Sequence, residues 1–108
     1  MSSSTTAASA ESTPAVLLGT WIYVPDPHIQ LLVMPDKYEV LHPPEHVYGR
    51  LAVRGQEMDF LDSTFCNLGV GRYGWSVENG RLRLASTTPD PCSGRSMTFD
   101  GGIFRHGP

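Results

Sequence analysis

The chain has 108 residues, 40% of them hydrophobic and 18% charged, a composition typical of one folded domain rather than of a disordered segment. Its formal net charge is −3, with acidic and basic residues interspersed, so we expect no nucleic-acid partner. No apolar run approaches the roughly 20 residues of a membrane-spanning helix, which predicts a soluble protein without a membrane partner.

The chain begins with a segment rich in Ser, Thr and Ala, which predicts a disordered leader at residues 1–16 before a folded domain at residues 17–108. Residues 1–15 have neither the basic stretch nor the apolar core of a secretion signal, so a cytoplasmic location is expected. A signal peptide upstream of this sequence stays an alternative.

From residue 17 onward apolar and polar residues alternate, and no stretch keeps a helical period for three turns. The pattern therefore predicts strands, with helices absent or limited to one turn. A first strand at residues 18–24 ends at Pro25 and Pro27, because proline cannot donate to a strand ladder. Strands at residues 29–34 and 37–41 follow, separated by the turn residues Pro35 and Asp36.

Two hairpins are marked by their turns. Gly55–Gln56 separates predicted strands at residues 47–54 and 57–62, and Asn79–Gly80 separates strands at residues 71–77 and 81–86. Residues 95–99 and 103–106 are predicted as the last two strands. Eight or nine short strands in sequence indicate an all-β, antiparallel, up-and-down meander, and closure into a barrel would remove its exposed edges.

The interior of an eight-stranded barrel holds either packed side chains or one small ligand. Side-chain alternation predicts an inward-facing set: Trp21, Tyr23, Leu32, Met34, Leu51, Val53, Met58, Phe60, Tyr73, Trp75, Leu82, Leu84 and Phe99. The ligand-binding residues expected among them are Trp21, Tyr23, Met34, Met58, Phe60, Trp75 and Leu84. Filling of the core without any ligand is the alternative role of Tyr73 and Trp75.

Gly19–Thr20–Trp21 is similar to the Gly-x-Trp that opens lipocalin and other calycin barrels. A longer pattern follows: Gly71-x-Tyr73-x-Trp75, then Leu82-x-Leu84, then Asp90-x-Cys92-x-x-Arg95. Together these resemble a group of small bacterial lipocalin-like proteins over about residues 17–105. The resemblance implies a small closed barrel in which Arg95 stacks on the indole of Trp21.

Barrels of similar size also include [4+2] cyclases of bacterial polyketide pathways, a likeness of architecture only. Such chemistry needs a shaped apolar cavity and a donor to a conjugated carbonyl, and it needs neither a metal nor an organic cofactor. Tyr73 and Arg95 are the candidate catalytic donors. The expected function is a cofactor-independent cyclase or isomerase acting on a hydrophobic, polyketide-type small molecule.

Two other functions stay open, a non-catalytic carrier or sensor of an apolar ligand and a solid barrel that serves in protein interactions. A homodimer is also left open. Arg95 also has a structural alternative, in which it closes the base of the barrel over Trp21. Asp90, ahead of Pro91, is expected to form an Asx turn, and an ion pair with Arg95 is its alternative role.

Cys66 and Cys92 are the only cysteines, and no metal-ligand spacing surrounds them. A disulfide between them and two reduced thiols in the cytosol are both consistent with the sequence. The histidines are predicted to be solvated residues in loops or at the terminus: His28, His42, His46 and His106. Pro43–Pro44 excludes the helix that would bring His42 and His46 to one face, so no metal site is expected.

Overall fold

Eight antiparallel strands form a closed barrel in the computed structural model, which describes residues 13–64, 66 and 69–107. The strands are β1 (Gly19–Tyr23), β2 (Gln30–Val33), β3 (Lys37–His42), β4 (Glu45–Arg54), β5 (Glu57–Leu61), β6 (Gly71–Glu78), β7 (Arg81–Ser86) and β8 (Ile103–His106). Each strand pairs with the next in sequence, and β8 pairs with β1 to close the barrel. The predicted all-β, up-and-down barrel is confirmed.

The turns lie where the sequence predicted them. Asn79 and Gly80, between β6 and β7, have φ angles of 52° and 74°, the positive values that a tight Asn-Gly hairpin requires. Gly55, between β4 and β5, has a φ of 59°. Pro43–Pro44 alone connects β3 to β4.

The folded part of the chain includes Thr13, which is buried. Its backbone N–H donates to the Pro35 carbonyl at 3.2 Å, and its hydroxyl donates to the same oxygen at 2.7 Å. Residues 1–12 of the predicted leader lie outside the described residues. Within the described part of the chain, no helix is both long and apolar enough to cross a membrane.

Strand β2 turns the opposite face inward from the one predicted. Leu31 and Val33 belong to the buried core, whereas Leu32 and Met34 are only half-buried. The prediction that Leu32 and Met34 face inward is therefore wrong, because the inward face is shifted by one residue. The pairing partner explains the difference. Leu31 lies opposite Trp21 in the β1–β2 ladder, and residues directly opposite each other point to the same face of a sheet.

An α-helix, α1 (Ser93–Phe99), lies where a strand was predicted at residues 95–99. That prediction is wrong, as is the limit of one helical turn, because the helix has seven residues. Met97 and Phe99 are two residues apart, which in a strand would place both on one face, but Met97 is 82% exposed and Phe99 is the buried residue of the helix. The two apolar residues therefore do not form a buried face of a sheet.

Aromatic rings in mutual contact fill the middle of the barrel. The Phe60 ring lies 4.8 Å from those of Tyr38 and Phe99 and 5.7 Å from that of Tyr73, measured between centroids. The predicted inward residues found in the core are Trp21, Leu51, Val53, Met58, Phe60, Tyr73, Leu82, Leu84 and Phe99, with Tyr23 and Trp75 packed against it. Core residues that the prediction missed are Leu17, Leu31, Val33, Tyr38 and Phe104.

One end of the barrel, the closed end, is covered by a single 3-10 turn at Ala15–Leu17. Leu17 is fully buried, and its carbonyl accepts a hydrogen bond from Trp21 Nε1 at 2.8 Å. The His106 ring packs edge-on against Trp21, with centroids 4.7 Å apart. The expected stacking of Arg95 on Trp21 is therefore wrong: His106 takes that place, and Arg95 makes its contacts at the other end of the barrel.

Candidate functional site

A pocket of about 450 Å³ lies at the end of the barrel opposite the closed end, between the β3–β4 hairpin and α1. We call this the pocket end. Val40 and Val47 face each other across the β3–β4 ladder and form one wall, and Phe99 and Met97 of α1 form another. The volume lies within the range of small-molecule sites in proteins.

A buried ion pair holds α1 in place beside the pocket. Arg95 donates from Nε to Asp90 Oδ2 at 2.8 Å and from Nη2 to Asp90 Oδ1 at 2.7 Å. The two side chains are 6% and 0% exposed. The guanidinium passes directly over Gly71, where a Cβ atom would lie only 2.5 Å from Arg95 Nε. A glycine at this position of β6 therefore gives the ion pair its space.

Asp90 collects two further donors, the Tyr73 hydroxyl at 2.6 Å and the Cys92 backbone N–H at 2.9 Å. Burial alone would raise the pKa of Asp90, but the hydrogen bonds from Arg95, Tyr73 and Cys92 outweigh burial and hold that pKa below its usual value. Both alternative roles of Asp90, the Asx turn and the pairing with Arg95, are confirmed.

Burial and the contact with Asp90 together keep Tyr73 in its protonated form. Burial, followed by the hydrogen bond to Asp90, raises the pKa of its phenol well above the ordinary value. Its only hydroxyl hydrogen is donated to Asp90. Tyr73 therefore orients the carboxylate and has no second hydrogen to donate.

The network reaches the pocket through two hydroxyl groups. Arg95 Nη1 donates to Ser63 Oγ at 3.0 Å, and the Ser63 hydroxyl is hydrogen-bonded to the hydroxyl of Tyr38. Both Tyr38 and Ser63 line the pocket. Sequence reasoning missed both residues. Tyr38 follows Lys37 in a predicted strand and could have been found by its alternation, whereas Ser63 lies in a loop whose pattern carries no signal.

Cys66 and Cys92 form a disulfide with their Cα atoms 5.9 Å apart, as one of the two alternatives predicted. Both residues line the pocket. The bond joins the loop after β5 to the residue that precedes α1. The pocket end is thus held covalently as well as by the ion pair.

The residues predicted to bind a ligand or to catalyse lie mostly outside this pocket. Arg95 lines it, and Tyr73 is connected to it only through Asp90. The predicted ligand-binding residues lie elsewhere: Trp21, Met58, Phe60 and Leu84 in the core, Tyr23 and Trp75 packed against that core, and Met34 after the end of β2. The structure brings most of these into one packed cluster and places the pocket beside it.

The indole Nε1 of Trp75 is buried and has no hydrogen-bond partner among the described residues. The residue is half-buried and packs against the core. It lies outside the lining of the pocket.

The four histidines do not converge on one site. On the surface, His28 Nδ1 lies 3.2 Å from Asp26 Oδ1, and His46 Nε2 lies 2.8 Å from Glu39 Oε1. His42 lines the pocket, and His106 packs on Trp21. His42 and His46 lie in β3 and β4, so their predicted placement in a loop is wrong. The described part of the chain contains no group of three or more His, Cys, Asp or Glu side chains placed to hold a metal ion.

A comparison of the chain with protein-family models, with curated proteins and with solved structures finds no significant match. The closed eight-stranded antiparallel barrel is compatible with a calycin-like fold.

Proposed function

We propose that the protein is a carrier or sensor without catalytic activity. It binds a small, largely apolar molecule in the pocket beside α1. The observation that carries the proposal is a volume of about 450 Å³ walled by Val40, Val47 and Phe99. Apolar walls with a few convergent polar groups are typical of ligand sites. The likeness to lipocalin-like proteins, which rests on the sequence motifs, agrees with such a function.

The contacts of Tyr73 and Arg95 favour binding over the predicted cyclase or isomerase activity. A cyclase needs a donor directed at the carbonyl of its substrate. Tyr73 donates its hydrogen to Asp90, and Arg95 donates to Asp90, Ser63 and the Gly69 carbonyl. Recovery of an isomer of unchanged mass after incubation with a linear polyene would support the cyclase instead.

The disulfide bears on the location of the protein. Thiols in the cytosol are kept reduced, whereas disulfides persist in oxidising compartments. The bond between Cys66 and Cys92 therefore weighs against the predicted cytoplasmic location.

Titration with the neutral fluorescent probe N-phenyl-1-naphthylamine tests the proposal. Its emission rises in apolar surroundings, so we expect a saturable increase with the parent protein. Val47→Trp fills the pocket from its wall and should raise the apparent Kd about tenfold or more, equivalent to about 1.4 kcal/mol.

Tyr48→Trp is the matched control, because it introduces the same ring at the next position, where the side chain is exposed to solvent. It should leave the affinity for the probe unchanged. Absence of saturable binding to the parent, or equal weakening by both substitutions, would refute the assignment of the ligand to this pocket.

A further inference from the structure

The hydroxyl groups of Tyr38 and Ser63 are hydrogen-bonded to each other, and both residues line the pocket. Each carries one hydrogen, and one hydrogen bond between them uses one of the two. Arg95 Nη1 donates to Ser63 Oγ and therefore occupies a lone pair rather than a hydroxyl hydrogen. Whichever residue is the donor within the pair, one hydroxyl hydrogen is left, and the described residues supply no acceptor for it.

This remaining hydrogen belongs to one of two largely buried side chains. Tyr38 is 1% exposed and Ser63 is 7% exposed. Buried donors in folded proteins are nearly always paired, because an unpaired one loses its hydration without compensation. Since both residues line the pocket, a molecule in the pocket can supply the acceptor.

The charges around the hydroxyl pair favour an acceptor without a charge. The positive charge of Arg95 is matched by the bidentate carboxylate of Asp90, whose side chain is completely buried. Glu45 lines the same pocket and disfavours an anion there. His42, which also lines the pocket, is exposed to solvent.

We infer that the ligand of this pocket is an apolar molecule with a neutral acceptor oxygen, as in a ketone, ester or ether, which the Tyr38–Ser63 hydroxyl pair binds. The inference rests on the proposed function and adds the chemical class of the ligand to it. Val40 and Val47 contact the apolar part of the molecule, and the hydroxyl pair fixes the position of its oxygen.

Displacement of N-phenyl-1-naphthylamine by two molecules of nearly the same shape tests the inference. Benzophenone has a carbonyl group where diphenylmethane has a methylene. We expect benzophenone to displace the probe at a concentration about threefold to tenfold lower, which is the range of one net hydrogen bond. Diphenylacetate, which carries a carboxylate, should be the weakest competitor of the three.

Substitutions of the two hydroxyl residues give a distinctive pattern. Tyr38→Phe leaves the Ser63 hydroxyl with its hydrogen, and Ser63→Ala leaves that of Tyr38, so each single variant should retain a preference for benzophenone. The double variant, with both substitutions, removes both hydroxyl hydrogens and leaves only the Arg95 Nη1 hydrogen that Ser63 accepted, so its preference for benzophenone should be clearly smaller than that of either single variant. The effects of the two substitutions are therefore far from additive.

The affinity for diphenylmethane serves as the control for folding and should stay the same in all four proteins. If the double variant does not fold, the infrared carbonyl stretch of benzophenone bound to the parent gives the answer, because a hydrogen bond moves it to lower frequency. Equal affinities of the parent for the two molecules, a preference in the double variant as large as that in the parent, or an unshifted stretch would overturn the inference. Failure of the probe itself to bind would overturn the proposed function as well.

Discussion

The two ends of the barrel are covered in different ways. At the closed end the fully buried Leu17 packs into the core, supported by one hydrogen bond from Trp21. At the pocket end α1 buries only Phe99 and is held by the Asp90–Arg95 pair and a disulfide. An apolar side chain fills the space it covers, whereas polar and covalent contacts hold a helix across a space without filling it. This difference explains why the pocket lies beside α1.

Loss of the Asp90 carboxylate should have the largest effect on the pocket end. The carboxylate accepts from Arg95 twice, from Tyr73 and from the Cys92 N–H, and an amide cannot accept all four because one of its atoms is itself a donor. Asp90→Asn should therefore lower the free energy of unfolding by about 3–5 kcal/mol. Urea unfolding at pH 7 measures this loss.

Asp62→Asn is the control, because Asp62 pairs with Arg50 on the surface, with side chains 60% and 70% exposed. It should change the free energy of unfolding by at most about 1 kcal/mol. The loss from Asp90→Asn should also depend on pH. Because the pKa of Asp90 is lower in the folded protein than in the unfolded chain, its carboxylate contributes its full share to the free energy of unfolding at pH values above the unfolded pKa of about 3.9. This contribution is lost as the pH falls through the pKa of the folded state. Equal losses from the two variants at pH 7 would contradict a stabilising role of the buried pair.

Most of the strands and the hairpin turns could be predicted from the sequence because local signals there agree with the fold. Asn79–Gly80 sits between alternating strands, and the turn it predicts requires no information from distant residues. The face of β2 could not be predicted in this way, because nearly every residue from Ile29 to Met34 is apolar. Its face follows from the pairing of Leu31 with Trp21, which is a property of the assembled sheet.

The pocket end could not be predicted because its structure depends on contacts between distant residues. Residues 93–99 contain Ser, Gly and Thr, which are weak helix formers, so local preference does not favour α1. The helix is fixed by the disulfide to Cys66, the pairing of Arg95 with Asp90 and the burial of Phe99. The motif residues Tyr73, Asp90 and Arg95 were identified, but their partner Ser63 and the pocket itself were not.

Removal of the disulfide should have the next largest effect. The double substitution Cys66→Ser and Cys92→Ser should lower the free energy of unfolding by about 2–4 kcal/mol, because a link across 26 residues restricts the unfolded chain. Since both cysteines line the pocket, the affinity for N-phenyl-1-naphthylamine should fall as well. Urea unfolding and probe titration measure the two effects.

A thiol reductant provides the control for this experiment. It should reproduce both changes in the parent and have no effect on the double variant. If reduction of the parent alters neither the stability nor the affinity for the probe, the disulfide does not hold the pocket end.

The smallest of the three effects is expected from Gly71→Ala, which should lower the free energy of unfolding by about 1–3 kcal/mol. The new Cβ atom would lie 2.5 Å from Arg95 Nε, and Arg95 can move away only by loosening its bonds to Asp90. Gly74→Ala is the matched control in the same strand, since its nearest neighbour, Thr87 Cγ2, is at 3.6 Å, and its effect should stay within about 0.5 kcal/mol.

A double-mutant cycle distinguishes this explanation from a general weakening of β6. If Gly71 matters because Arg95 must reach Asp90, then Gly71→Ala should have little further effect in the Asp90→Asn background, where that pairing is already lost. Equal losses in the parent and in the Asp90→Asn background would mean that the added methyl group disturbs the strand itself. In the expected case, Gly71, Asp90 and Arg95 act as one unit that holds α1 over the pocket.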